Sequence, residues 1–523
     1  LSATRVDASQ LIEKGRENLF IYSNDFNSGW SPKAGTFTQG VTDPNGGSTA
    51  WSWTAQNTDP FLYQYWGFSG VHCVSMWAKG VGSTIGDDIQ IRIGNSNATF
   101  SLTSEWQRFQ HFAVLNGATN IGFEYGNPAT SGDVIHIYGA QLELGLVATP
   151  YIETGASTAQ AGILENTPRL DYSGGATCPS LLLEPSRTNL AISSELLDNT
   201  FYSNINSSVT NNNATSPEGV QNAALLKNTY DDNQASYIRD LSVGMAPSTT
   251  YTATIYAKYV NCQYIFVRNL GVGGAPEVYF DIQNGVVGLE ETGLTGDIEP
   301  IGNGWYRCIA TGTTPSTITN NYIDIGLANE DDGNRESNLN QSAHLYGFQI
   351  EEAYYATSYI PTYGVSQTRA VDDMNTTFAS PIPTTGNVSY LIHLNGSDFG
   401  SNMTALGAAL RFSSGDYIAY NVTGSGDHRF RVNINSTANY YSSLISKSNE
   451  AKVLAVINGS DMKMFVNGQQ RSQGTLLGGT TELSSVTEYV TTVTDALGPL
   501  PIKQVLVFPT ALSDVECIAL TTI

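Results

Sequence analysis

Positive charge is what this sequence has least of. Only 24 Lys and Arg stand against 47 Asp and Glu in 523 residues, a formal balance of −23. A surface of that sign repels phosphate backbones, so no nucleic-acid partner is expected. Charge of either sign is thin, at 14% of residues, and Ser, Thr, Asn and Gln must supply the polar surface. No run approaches the roughly 18 apolar residues that a membrane-spanning helix requires, so membrane insertion is not expected. The stretch that begins at Leu1 has no signal-peptide pattern. Cysteine is sparse too. Cys73, Cys178, Cys262, Cys308 and Cys517 are odd in number and widely spaced, with no CxxC pair to hold zinc. They read as free thiols buried in strands, with no part in cross-linking the fold.

Catalytic signatures are missing as well. There is no HExxH, no G-x-S-x-G elbow and no phosphate-binding loop. A glycosidase needs two carboxylates at a set separation. The nearest approach to an E-x-D-x-x-E strand is "NEDDGNRES" at 329–337, where Arg335 falls on the place of the last acid. That stretch reads as a solvated loop, with Asp331 and Asp332 as the alternative of a Ca²⁺ site. No catalytic residue is assigned, and no cofactor other than that calcium is expected.

What the chain does have is repetition. "HIYGAQLELGLVATPYIET" at 136–154 returns as "HLYGFQIEEAYYATSYIPT" at 344–362. Three further blocks keep the same order: "GRENLFIYS" with "SRTNLAISS", "SMWAKG" with "TIYAKY", and "WQRF" with "WYRC". These pair Arg16 with Arg187, Asn18 with Asn189, His136 with His344, Tyr138 with Tyr346, Gln141 with Gln349, Glu143 with Glu351, and Tyr151 with Tyr359. A duplicated domain explains the series, and the growing offset predicts longer loops in the second copy. Paired carboxylates at Glu143 and Glu351 suit inter-strand hydrogen bonds or ion pairs better than an active site. A shorter signature, "TRVDAS" at 4–9, "TPRLDYS" at 167–173 and "TRAVDDM" at 368–374, marks junctions. Boundaries follow near 165 and 370, dividing the chain into 1–165, 166–369 and 370–523, with "LLLE" of the connector docking on a neighbour.

Period-two alternation in "DVIHIYGAQLELG", broken at Gly139, predicts a bulged strand. Helix grammar is confined to "ASQLIEKG" at 8–15 and "LSDVECIAL" at 512–520, the latter capped at Ser513 or Asp514. In the last 150 residues, Asn-Gly pairs punctuate strand hairpins. The expectation is all-β: three antiparallel β-sandwiches, jelly-roll or concanavalin-A-like, in tandem.

The repeat blocks resemble the jelly-roll, carbohydrate-binding-module-like repeats of bacteriophage virion proteins. The junction text is similar to that of phage tail-fibre and appendage proteins. "AVINGSDMKMFVNG" and "VLVFPTALSDVE" in the last domain resemble the laminin-G and concanavalin-A-like superfamily. Together these likenesses span almost the whole chain. They imply a tail or head fibre on the phage particle surface, a homotrimer among other virion proteins, that recognises a host-surface glycan. A secreted bacterial glycan-binding or glycan-cleaving protein, and a capsid decoration without ligand, stay open beside that reading.

Aromatic residues are the remaining functional text. "WSWTAQNTDPFLYQYWGF" at 51–68 is dense in rings. Alternation puts Trp51 and Trp53 on one face, and Phe61, Tyr63 and Tyr65 on another. Trp51, Trp53, Tyr63, Tyr65 and Trp66 are the candidate sugar-stacking residues. The alternative is a sandwich core or an interface between protomers.

Overall fold

The computed structural model describes residues 3–126, 129–230, 234–331, 333–395, 407–422, 427–444, 450–477, 483, 485–491 and 500–523. Its sheets are antiparallel throughout. The chain is an all-β protein of tandem sandwiches.

In the first repeat two strands, Phe61–Gly80 and Gln107–Tyr125, are long enough to run through both layers. Each bends at a glycine with positive φ, Gly70 at +99° and Gly117 at +116°, where a side chain would be strained. Beyond the bend one layer reads Gly35–Val41, Ala50–Ala55, Val134–Leu144, Phe61–Gly80, Gln107–Tyr125. The other reads Ser31–Lys33, Phe61–Gly80, Gln107–Tyr125, Asp88–Ile93, Ser96–Ser101.

The second repeat builds the same two layers from separate strands. One sheet runs Ser207–Ala214, Ala223–Asn228, Ser342–Glu351, Thr250–Tyr259, Trp305–Thr313, Leu294–Gly302. The other runs Ser203–Ile205, Ser236–Asp240, Ile323–Ala328, Tyr264–Arg268, Glu277–Asp281, Val286–Glu290. Each long strand of repeat one is thus cut in two. The extra length of repeat two includes two strands, Val286–Glu290 and Leu294–Gly302, with no counterpart in repeat one. Between the layers, alternate side chains interlock into one core per repeat, around Trp53, Ile91 and Phe123 in the first and Ile255, Ile325 and Phe280 in the second.

The C-terminal sandwich pairs a seven-stranded with a six-stranded sheet. Asn467 and Gly468, both at positive φ, make the tight turn that joins Asp461–Val466 to Gln469–Thr475. Helix Asp514–Thr521 starts on a capping box in which the Ser513 hydroxyl accepts the Glu516 amide. Its Cys517 packs with Leu391, Leu454 and Phe465 on the outside of the sheet.

Residues 8–15 do not form the expected helix. The Asp7 carboxylate accepts the amides of Ser9 and Leu11 in a turn, Gln10 takes positive φ, and Ile12–Lys14 is a strand paired with Thr4–Val6. Tertiary contact overrides the local pattern, because the Ile12 amide donates to the Pro217 carbonyl of repeat two. The connector docks forward as well. Ser180–Leu183 adds a strand to the C-terminal sheet beside Leu500–Phe508. The three junction segments meet in space. Arg169 reaches the Thr4 carbonyl, Glu184 and Asp372, while Arg369 also pairs with Glu184 at 3.0 Å. Burial pushes the Glu184 carboxyl up, but the guanidiniums of Arg369 and Arg169 outweigh it and hold the group at about 2. Four cysteines are buried and Cys178 is exposed; Cys262 and Cys517 stand outside strands.

Candidate glycan-binding face

The echoed residues come first, because they show what is scaffold. In repeat one the Asn18 side-chain amide donates to the carbonyls of Ala140 and Ile152, and its oxygen accepts the Leu142 amide. Asn189 does the same with Phe348, Ile360 and Ile350. Gln141 accepts the Ile152 amide at 2.8 Å and Gln349 the Ile360 amide at 2.6 Å. Glu143 accepts the amide and hydroxyl of Thr149, as Glu351 does those of Thr357. Arg108 lies over the Trp77 ring and Arg307 over Tyr256. Gly139 and Gly347 sit at φ +60° and +66° in the bulge, with a ring (Trp77 or Tyr256) where a Cβ would go. The Asn, Gln and Glu pairs are buried polar groups whose bonds tie the closing strand and loop of their own sandwich together. Burial raises the Glu143 carboxyl, offset in part by Thr149 and Gln141.

The aromatic segment divides by strand face. Trp51 and Trp53 are 5% and 0% exposed and fill the core with Phe26, Phe37 and Tyr125. They are corrected from sugar-stacking candidates to core residues: both point between the layers, where no ligand reaches. Trp66 packs partly against that core, its indole N–H bound to Gln64, and stacks on Phe68. Tyr63 and Tyr65 point outward. Tyr65 is 68% exposed, and Tyr63 stacks on Phe61 with ring centroids 5.0 Å apart at 20°.

Register builds the rest of this outer face. Gly122 sits between Tyr63 and Arg92 and is buried, with the Leu62 carbonyl oxygen 2.0 Å from a notional Cβ, so the neighbouring backbone leaves no room for a side chain there. The Arg92 guanidinium lies 5.1 Å from the Phe61 ring centre and bonds Glu124 at 2.6 Å. An exposed tyrosine beside a stacked ring pair and a guanidinium held by Glu124 suits a polyhydroxylated ligand. Arg92 and Gly122 were missed from the sequence. The signal was a fifth echo, "NIGFE" at 120–124 against "DIGLA" at 324–328, which pairs Gly122 with Gly326.

In repeat two the same face is filled. Gly326 lies between Tyr237 and Phe266, and the Phe266 ring covers it, 2.4 Å from a notional Cβ. Phe266 and Tyr279 are fully buried. Beside them runs a ladder of alternating charge: Arg239, Asp324, Arg268, Glu277. Arg335 bonds Glu277 at 2.7 Å, and Glu336 bridges to Ala235, closing the rim. Arg335 of the "NEDDGNRES" loop is therefore a clasp. Asp331 is exposed in it and Asp332 lies outside the described residues; among the described residues no cluster of three metal-binding side chains occurs.

A cavity of about 290 Å³ opens between the repeats, lined by Arg16, Glu17, Glu143, Thr149, Tyr363 and Gln367 among others. Its two carboxylates are engaged. Glu17 accepts from Thr158 and Gln160, and Glu143 from Thr149 and Gln141. Neither is positioned as the free acid or base that glycoside hydrolysis requires.

No family model and no curated protein matches this sequence. Among solved structures the chain is similar to the native heptameric SAP-like pentraxin from Limulus polyphemus, at 14% identity over 28% of this chain and 75% of that one, with a TM-score of 0.24. It is similar to the Ruminococcus gnavus IT-sialidase CBM40 bound to sialyllactose, at 13% identity over 29% and 96%, with a TM-score of 0.22. A third likeness is to the CBM22 tandem domain from Paenibacillus barcinonensis, at 11% identity over 64% and 97%, with a TM-score of 0.22. At these scores the likenesses say nothing of ligand or role.

Proposed function

We propose that the chain is a non-catalytic appendage whose first sandwich recognises a glycan on its open face, with 1–165, 166–369 and 370–523 as its three modules. The carrying observation is the exposed Tyr65 ring on the same outward strand face as half-buried Tyr63, whose ring stacks on buried Phe61 beside Arg92. Tyr63, already held by its stack on Phe61, loses little freedom on meeting a sugar, and exposed Tyr65 extends the ring surface beside it. The acidic balance and the junction text support placement on a phage particle as a trimeric fibre or decoration beside other virion proteins.

A glycan array on the full chain tests the first part. Binding that disappears in the Tyr63→Ala/Tyr65→Ala variant supports it, and silence on the array contradicts it. Sedimentation equilibrium and mass spectrometry of purified phage particles test the second; a monomer absent from particles contradicts it. The secreted glycan-cleaving alternative requires reducing-sugar release that Glu143→Gln abolishes.

A further inference from the structure

Repeat two carries a second aromatic site, on the outer face of its other layer, and that site is occupied. Tyr256, Trp305, Tyr346 and Tyr359 form a cluster in which none exceeds 4% exposure, and Ile12 of the N-terminal hairpin packs into it. The Ile12 amide donates to the Pro217 carbonyl at 2.9 Å, and the Thr4 hydroxyl to the Tyr359 carbonyl at 2.6 Å. Lys14 then reaches Glu195 and Glu218, both at 3.0 Å, and the Tyr363 hydroxyl at 2.7 Å. A polypeptide hairpin is thus anchored by one apolar side chain, two backbone carbonyls and a buried ammonium.

Repeat one holds the same site in the same geometry. Trp77, Trp106, Tyr138 and Tyr151 take the four ring positions, with Trp77, Tyr138 and Tyr151 within 5.8 Å of one another by ring centre. The Trp106 indole donates to the Thr42 carbonyl at 3.2 Å, as that of Trp305 does to Thr215 at 3.2 Å. The loop below is also an echo, "TDPNGGSTA" at 42–50 against "TSPEGVQNA" at 215–223. Its internal bonds match, Asp43 to Gly47 and Ser216 to Val220, and Gly46 and Gly219 share φ near +85°. Here, though, Trp77, Trp106 and Tyr151 are half-exposed. Among the described residues no backbone amide donates to the Pro44 carbonyl, the counterpart of Pro217.

All three lysine partners have changed. Asn24 stands for Glu195, Asn45 for Glu218 and Gly155 for Tyr363. The rings and carbonyls that hold a hairpin are kept, and none of the three groups that bond Lys14 is kept. We propose that this face of repeat one is a socket for an extended polypeptide segment from outside these 523 residues. Its occupant carries an apolar side chain where Ile12 sits and a neutral hydrogen-bonding side chain where Lys14 sits. The chain's own hairpin is disfavoured, because no counterpart of Glu195 or Glu218 is there to meet its ammonium; of the carboxylates near the rings, Asp43 is taken up by Thr49 and its own loop, and Glu153 is exposed.

The probe is the peptide Thr4–Gly15 carrying Lys14→Gln, added to the full chain and followed by indole fluorescence. Saturable binding is expected, lost in Trp106→Ala, with the unaltered Lys14 peptide at least about tenfold weaker. Asn24→Glu/Asn45→Glu should reverse that preference. Asn45 is exposed, so Asn45→Glu alone keeps the test usable if Trp106→Ala does not fold. No binding of either peptide, equal binding of both, or competition by a soluble glucan oligomer for the same indoles overturns the proposal. The Tyr63→Ala/Tyr65→Ala variant should bind the peptide normally, which separates this outcome from failure of the glycan reading.

Discussion

Inside, the two repeats are copies, and outside they have parted. Asn18 and Asn189, Gln141 and Gln349, and Glu143 and Glu351 make the same bonds to the same loop. Yet each outer face that repeat two covers, with Phe266 and Arg335 on one layer and Ile12 on the other, is more exposed in repeat one, at Tyr63 and Tyr65 on one layer and at Trp77, Trp106 and Tyr151 on the other. Buried polar networks tolerate little change because each lost partner leaves a desolvated group unsatisfied. Surface positions carry no such penalty. Repeat two has thereby become an internal hub, gripping the N-terminal hairpin and the junction arginines, while repeat one keeps its surface for something else.

That contrast can be broken, most severely at the hub. Lys14→Ala should cost on the order of 3–5 kcal/mol in denaturant unfolding, because it strands two buried carboxylates. Burial lowers the Lys14 ammonium, but Glu195 and Glu218 outweigh it and hold it above its ordinary value. Its contribution is therefore complete below the ordinary lysine range and fades only above it. Phe266→Ala should cost a similar ~3–5 kcal/mol as a core truncation, and leave glycan binding intact. Acid loosens the junctions next. With Glu184 held at about 2 against an ordinary 4.5, roughly 3 kcal/mol should be lost as pH falls from about 4.5 through 2. Glu184→Gln should remove that slope. Gly139→Ala and Gly347→Ala should each cost ~1–3 kcal/mol, and by similar amounts if the bulges are equivalent. Smallest in stability, within about 0.5 kcal/mol, is Tyr65→Ala, an exposed change whose effect belongs to binding.

How much of this was legible in the letters depends on which side of a strand they sit. The repeat, its bulge glycine and its paired Asn, Gln and Glu were readable, since buried networks preserve residue identity. Alternation separated Trp51 and Trp53 from Tyr63 and Tyr65 correctly, but could not say which set faced the core, because both faces of these strands carry rings. The helix at 8–15 was misread, because a Leu-Ile pattern near Asp7 satisfies helix grammar while the Pro217 carbonyl, distant in sequence, claims the Ile12 amide. The echo at 42–50 and 215–223 went unseen for a related reason. Its changed letters, Asn45 for Glu218 above all, are those that alter what each surface accepts.

Residue-resolved hydroxyl-radical footprinting of the full chain compares open and covered faces in a single experiment. Trp77, Tyr63 and Tyr65 should oxidise well ahead of Tyr256, Phe266 and Tyr279. Equal rates across those pairs would mean that the repeats present the same surfaces, and the division between an open first sandwich and a covered second would be wrong.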